Sequence, residues 1–263
     1  MNNLAGVLDS QGKYEEAESM HKQTLATSEK VLGKEHPDTL TTMNNLALVL
    51  DSQGKYEEAE SMHRQTLATH KKVLGKEHPS TLTTMNNLAG VMDSQGKYEE
   101  AESMHRQMLA TREKVLGKEH PSTLTTMNNL ALVLGRQGKY EEAESMHRQT
   151  LATREKVLSL KHPDTLTSVY CLAQILASRH RYNESVALYE RACTGYNAIL
   201  GEDHPTTRAC RQHYSQMLSS QEQNRVDVPP EIPRSSVSTQ TGKGSRLSRG
   251  LAKMGVRRSK DSR

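Results

Sequence analysis

The chain has 263 residues, no Trp, no Phe and 34% hydrophobic residues. That is too little apolar mass for one thick core, because ordinary globular domains reach about 45–50% with Gly counted, so a thin architecture, an unfolded portion or both are expected. No run of about 18 apolar residues is present, no basic-then-apolar leader opens the chain, and Cys171, Cys193 and Cys210 follow neither a zinc spacing nor a paired disulfide framework, which points to a reducing, cytoplasmic setting. The net charge of +4 is unevenly placed: residues 226–263 carry nine Lys/Arg against three acids, a surplus of six that leaves the first 225 residues at −2. The basic balance belongs to the C-terminal segment and gives no reason to expect nucleic acid on the folded body.

Internal repetition decides the fold class. The string M-N-N-L-A begins at Met1, Met43, Met85 and Met127, a period of 42, and G-K-Y-E-E-A-E-S-M-H begins at Gly12, Gly54, Gly96 and Gly138. His-Pro recurs from His36, His78, His120, His162 and His204, so the period outlasts the near-identity. Residues 43–84 and 85–126 differ at only 5 of 42 positions.

Each unit reads as two helices. Pro37 suits the first helical position, where its missing N–H costs nothing. Met43, Leu46, Ala47 and Leu50 follow at i, i+3, i+4 and i+7, one apolar stripe. Gly54 ends that helix and allows a tight turn. A second helix is predicted from about Tyr56 to Leu74, stopped by Gly75. Glu57, Glu58 and Glu60 near its start and Lys71 and Lys72 near its end suit the helix dipole. Tyr56, Ala59, His63, Leu67, Val73 and Leu74 give its inward side. Neither helix can bury its stripe alone, and stacking successive hairpins buries both.

Leu46, Ala47, Gly54, Tyr56 and Ala59, their counterparts in the other units, and the phrases N-N-L-A, Q-G-K-Y-E-E-A-E and K-V-L-G-K-E-H-P carry a resemblance. The stretch over roughly 1–220 resembles a tetratricopeptide repeat (TPR) array of the 42-residue form found in kinesin light chains. It is also similar to the C-terminal arrays of fungal NB-ARC receptors, which are nucleotide-dependent signalling ATPases. The resemblance implies an all-α, right-handed superhelix of about five hairpins. Two departures stand out: Met replaces the aromatic usual early in the first helix, and His21, His63, His105 and His147 replace the one usual in the second, which Tyr189 restores. The units are 1–36, 37–78, 79–120, 121–162 and a divergent 163–204. A capping helix follows over 205–220, presenting Cys210, His213, Tyr214 and Met217, and a disordered, basic, Ser-rich tail is expected over 221–263. Met1 aligns with Met43, six residues into a first helix, so a fragment of a longer protein is expected.

The resemblance also places a concave groove on the first helices, at one, five, eight and nine residues past the stripe Met. One row is Asn2, Asn44, Asn86 and Asn128. A second is Gly6, Leu48, Gly90 and Leu132. The third is Asp9, Asp51, Asp93 and Gly135, beside Ser10, Ser52, Ser94 and Arg136. An Asn amide offers a donor and an acceptor together, so such a row can pin an extended backbone of any sequence. The next row, Asn3, Asn45, Asn87 and Asn129, is expected to be structural. The first four units disagree mainly at 6/48/90/132, at 135 and 136, and at 28/70/112/154, and two of these clusters lie on the expected groove. The Asp row would make it mildly negative, with Arg136 reversing the sign at one end, which favours an extended peptide of some basic character.

The twelve His lie in rows one repeat apart, whereas zinc needs ligands converging at about 2.1 Å. No metal site and no cofactor is expected. No phosphate-binding loop, nucleophile elbow or Gly-rich strand-to-helix turn occurs, so no catalysis is expected. The expected function is protein interaction through the groove, either free-standing, or as the sensor part of an NB-ARC-type ATPase, or as a kinesin-linked cargo adaptor.

Overall fold

The computed structural model describes Ala5, Leu8 and residues 11–226. Asn2, and the expected disordered tail beyond Val226, lie outside the described residues. Ten helices are described and, among the described residues, no strand: α1 (Tyr14–Leu32), α2 (Pro37–Ser52), α3 (Tyr56–Val73), α4 (Pro79–Ser94), α5 (Tyr98–Leu116), α6 (Pro121–Arg136), α7 (Tyr140–Val157), α8 (Pro163–Ser178), α9 (Tyr182–Leu200) and α10 (Pro205–Val226). Helix packs on the next helix in sequence, hairpin after hairpin, the arrangement of an α-solenoid.

The His-Pro pair starts every first helix, and the histidine does more than the sequence assigned to it. The Nδ1 of His36, His78, His120, His162 and His204 accepts the backbone N–H two residues on, at 3.1–3.2 Å. Histidine thus fills the N-cap role usual for Ser, Thr, Asp or Asn. Thr39, Thr81 and Thr123, all fully buried, donate their hydroxyls to the carbonyls of Gly33, Gly75 and Gly117 at 2.8 Å, stitching the inter-unit loop to the helix it feeds. Within each hairpin Gly54 turns the chain at φ +76°, a region that costs a Cβ-bearing residue energy. His180 holds that place in the fifth unit at φ +58°.

The predicted stripe Met43, Leu46, Ala47 and Leu50 is buried. The units interlock through a residue outside it: Val91 packs with Leu46, Leu50 and Ala59 of the preceding unit, and Ile175 with Leu130, Leu134 and Ala143. Each such plug contributes roughly 1.5–3 kcal/mol of burial. Val73, expected inward, is 43% exposed, because the last turn of α3 runs past its partner helix.

Gly135 replaces the Asp of the other units, and Ile175 replaces the plug valine. A Cβ on Gly135 would stand 2.5 Å from Ile175 Cδ1, so the extra methyl of Ile175 occupies the space the glycine leaves. At the variable positions 70, 112 and 154 the side chain is likewise buried. His70 Nδ1 lies 3.1 Å from Thr84 Oγ1, Arg112 Nη1 donates to Thr126 Oγ1 at 2.6 Å, and Arg154 Nη1 donates to Ser168 Oγ at 2.9 Å. The occupants differ, but each clamps a second helix to the next first helix.

A carboxylate ladder ties the second helices together. Glu60 accepts from Arg64 at 2.8 Å and from Lys97 of the next unit at 2.7 Å, and Glu18 and Glu102 repeat the pattern. Pairing holds these carboxyls down to about 2, led by Lys22 at Glu18, Lys97 at Glu60 and Lys139 at Glu102. His63, His105 and His147 are buried where TPR aromatics usually sit, and burial pushes each down to about 4. At the far end α10 covers the fifth hairpin with buried Cys210 and Met217, while Tyr214 stacks on Tyr189. The helix continues past the expected end at Ser220 to Val226. Sequence spacing gave Cys193 and Cys210 no relation, yet their free thiols stand 2.8 Å apart between α9 and α10.

Two outcomes are expected. An unfolded histidine takes up its proton near pH 6.5 and the buried ones only near 4. Acid therefore favours the unfolded chain across that window, by at most roughly 1.4 kcal/mol per histidine per pH unit. The ladder then adds its own loss as pH falls from about 4.5 through about 2, since its stabilisation is complete only above the unfolded carboxyl pKa. Urea midpoints at pH 7 and pH 5 should differ in the native chain and converge in the triple variant His63→Phe, His105→Phe, His147→Phe; an unchanged difference would remove the histidines from the account. Second, Gly135→Ala should gain up to about 1 kcal/mol of helix propensity only beside Ile175→Val. Simple additivity in a double-mutant cycle would mean that the two positions do not touch.

Candidate functional site

The inner face of the first helices presents α2, α4, α6 and α8 side by side. Side-chain contacts fix the register: a residue of one first helix meets the residue 43 further on in the next. Asn129 Nδ2 donates to Asn86 Oδ1 at 2.9 Å, Asn128 Nδ2 lies 3.7 Å from Cys171 Sγ, and Arg136 pairs with Asp93.

The Asn row is therefore not uniform. Asn44 is half-buried; its Oδ1 is covered and, among the described residues, none hydrogen-bonds its amide. Asn86 has its oxygen occupied by Asn129, so the row read as structural reaches across to the row read as ligand-facing. Asn128 does not open on the groove: it is 4% exposed. The reason is its neighbour, since the fifth unit carries Cys171 where the fourth carries Asn129, and the smaller, less polar thiol lets α8 cover the amide. Asn2 lies outside the described residues.

Leu48 is 37% exposed, Leu132 is half-buried, and Gly90 between them in the repeat order borders open space. Ser52 and Ser94 are exposed, but each hydroxyl donates back to its own helix, to the carbonyls of Leu48 and Gly90 at 3.1 Å. Asp51 and Asp93 are half-buried, with one oxygen of each covered and unpartnered. Arg136 neutralises Asp93; among the described residues no cation pairs with Asp51, and burial pushes its carboxyl up. Asp9 lies outside the described residues, and among the described members of the expected negative row Asp51 alone keeps an unpaired carboxylate.

A cavity of about 230 Å³ opens between α6 and α8, walled by Leu132, Gly135, Arg136, Cys171, Gln174 and Ile175. That is smaller than the ~300–1,000 Å³ of typical small-ligand pockets and comparable to one large side chain. The sequence marked Leu132 and Arg136 but not Cys171, Gln174 or Ile175, which lie in the divergent unit where the repeat alignment gave no contrast. Among the described residues no three His, Cys, Asp or Glu side chains are placed to hold a metal ion, and no helix is long and apolar enough to cross a membrane.

Comparison with known proteins gives this array its family. A tetratricopeptide repeat family model matches residues 1–72, 52–114 and 94–156, and a second tetratricopeptide repeat model matches 165–206. No curated protein sequence matches the chain. Among solved structures, the nearly identical TPR-like repeats assigned to a kinesin light chain of Podosopora anserina are 30% identical, with a TM-score of 0.63 over 75% of this chain and 93% of that one. BtubC (BKLC) from P. vanneervenii is 22% identical, with a TM-score of 0.56 over 92% and 85% of the two chains. A Rap protein complexed with competence and sporulation factor is 15% identical, with a TM-score of 0.62 over 85% and 66%. The last two show the fold alone. Helical pairs, repeat period and sequence relatives agree, and the chain belongs to the tetratricopeptide repeat family, in its kinesin-light-chain-like form.

Proposed function

We propose that the chain is a protein-interaction scaffold whose inner face binds an extended peptide or a helix of a partner protein. The observation that carries this reading is the set Asn44, Leu48 and Asp51. They stand at i, i+4 and i+7 on one face of α2. None is spent on the fold: the amide and the carboxylate have no partner among the described residues, and the leucine is exposed. An unpaired, partly desolvated polar group is costly in a folded state, and a partner that pairs it recovers that cost. The structure of the Rap conjugation gene regulator of the plasmid pLS20 in complex with the Phr* peptide supports the idea that this fold has room for a peptide. The 30% identity to repeats assigned to a kinesin light chain favours a cargo-adaptor setting over a signalling ATPase, in a cytoplasmic chain whose folded body engages protein rather than nucleic acid.

Random short peptides displayed on phage and selected on the purified chain should yield binders. Asn44→Ala and Leu48→Ser should each weaken them about tenfold, roughly 1.4 kcal/mol, with unchanged helical circular dichroism. Asn128→Ala should leave binding alone, because its amide is covered. Binders indifferent to both groove changes, or no binders at all, would defeat the proposal.

A further inference from the structure

The array contains an internal control for what its groove aspartates recognise. Asp93 and Asp51 occupy the same register of consecutive units, and both keep one oxygen covered and unpartnered. The residue 43 positions beyond Asp93 is Arg136, whose guanidinium pairs with it. The residue 43 positions beyond Asp51 is Ser94, whose hydroxyl is turned back onto the carbonyl of Gly90 at 3.1 Å. The cation that this register accepts is supplied from within the protein in one unit and is missing in the preceding one.

The surroundings suit a basic side chain. Leu48, three residues before Asp51 on α2, is exposed and offers an apolar wall for an aliphatic stem. Gly90 on α4 leaves open space where a side chain would otherwise stand. Asn44, one turn further along the same face, has no intramolecular hydrogen bond among the described residues to compete with a ligand. Lys55, at the end of the same hairpin turn, is engaged with Glu18 at 2.8 Å and so is not Asp51's counterion.

Resting on the groove reading above, we infer that Asp51, Leu48 and the gap over Gly90 form a subsite for one arginine or lysine side chain of an extended partner peptide. The partner's guanidinium or ammonium takes the place that Arg136 takes at Asp93. An aspartate facing a planar, delocalised cation can accept two parallel hydrogen bonds, which makes arginine the better fit.

The test uses the full chain and a positional peptide array in which each position is varied through all residue types. Wild-type protein should prefer arginine, then lysine, at one position, by about tenfold over norleucine, the uncharged match to the lysine stem. Asp51→Asn should abolish that preference while binding to the norleucine series persists. Ser94→Arg should do the same by supplying an internal cation, with helicity unchanged because Ser94 is exposed on α4. Binding without any basic preference, or a preference that survives both variants, would overturn the subsite and leave the groove reading intact. Failure of every peptide to bind would overturn both.

Discussion

Everything in this molecule depends on burying an apolar stripe that no single hairpin can cover. Leu46, Leu50 and Ala59 close their own hairpin only in part, and the remaining opening is filled by Val91 from the next unit. A hairpin taken alone would expose that opening, so stability is cooperative between neighbours and local in range. The ion ladder follows the same logic at lower strength. Exposed pairs of this kind contribute about 0–1 kcal/mol each, too little to hold the array. Their spacing of 36 or 37 residues nonetheless fixes the rotation of one second helix on the next.

The fold was legible in the sequence because both of its causes are local and repeated. Gly54 and its counterparts mark the turns, Pro37 and its counterparts mark the starts, and the stripe from Met43 to Leu50 has helical spacing. What escaped was anything that depended on a neighbour in the next unit. Val91 and Val133 fall outside a stripe drawn on one helix, yet they plug the unit before. The His-Pro histidines looked like loop residues because the bond they accept comes from a backbone N–H, which carries no residue-type signal. Cys193 and Cys210 meet only because α10 folds back on α9.

For the candidate site the sequence supplies rows of residues and not their environments. Counting from the stripe sets the rows, and Leu48, Gly90, Leu132, Asp51 and Asp93 stand at the counted registers of α2, α4 and α6. The count treated each row as uniform, although a row's chemistry is set by the row beside it. Asn86 is occupied because Asn129 follows it, and Asn128 is covered because Cys171 follows it. Asp93 is neutral in effect because Arg136 follows it, and Asp51 stays free because Ser94 does. A one-residue offset in the repeat, 43 rather than 42, is the datum that converts identical rows into distinct environments.

That offset also explains why so few substitutions matter so much. Near-identity of the units repeats the same stacking contacts from one unit to the next. Two sets of variable positions show how a change acts. At 70, 112 and 154 the occupant changes from His to Arg, but each still bonds the hydroxyl 14 residues on, so the clamp survives. At 48, 90, 132 and 136 the same small changes alter the surface of the first helices: a leucine, a gap, a leucine, and a cation that pairs with Asp93. A solenoid built from strictly identical units would present one surface many times. Here the pairing of Asp93 with Arg136, and the absence of such a pairing at Asp51 among the described residues, makes two consecutive units differ through a single residue.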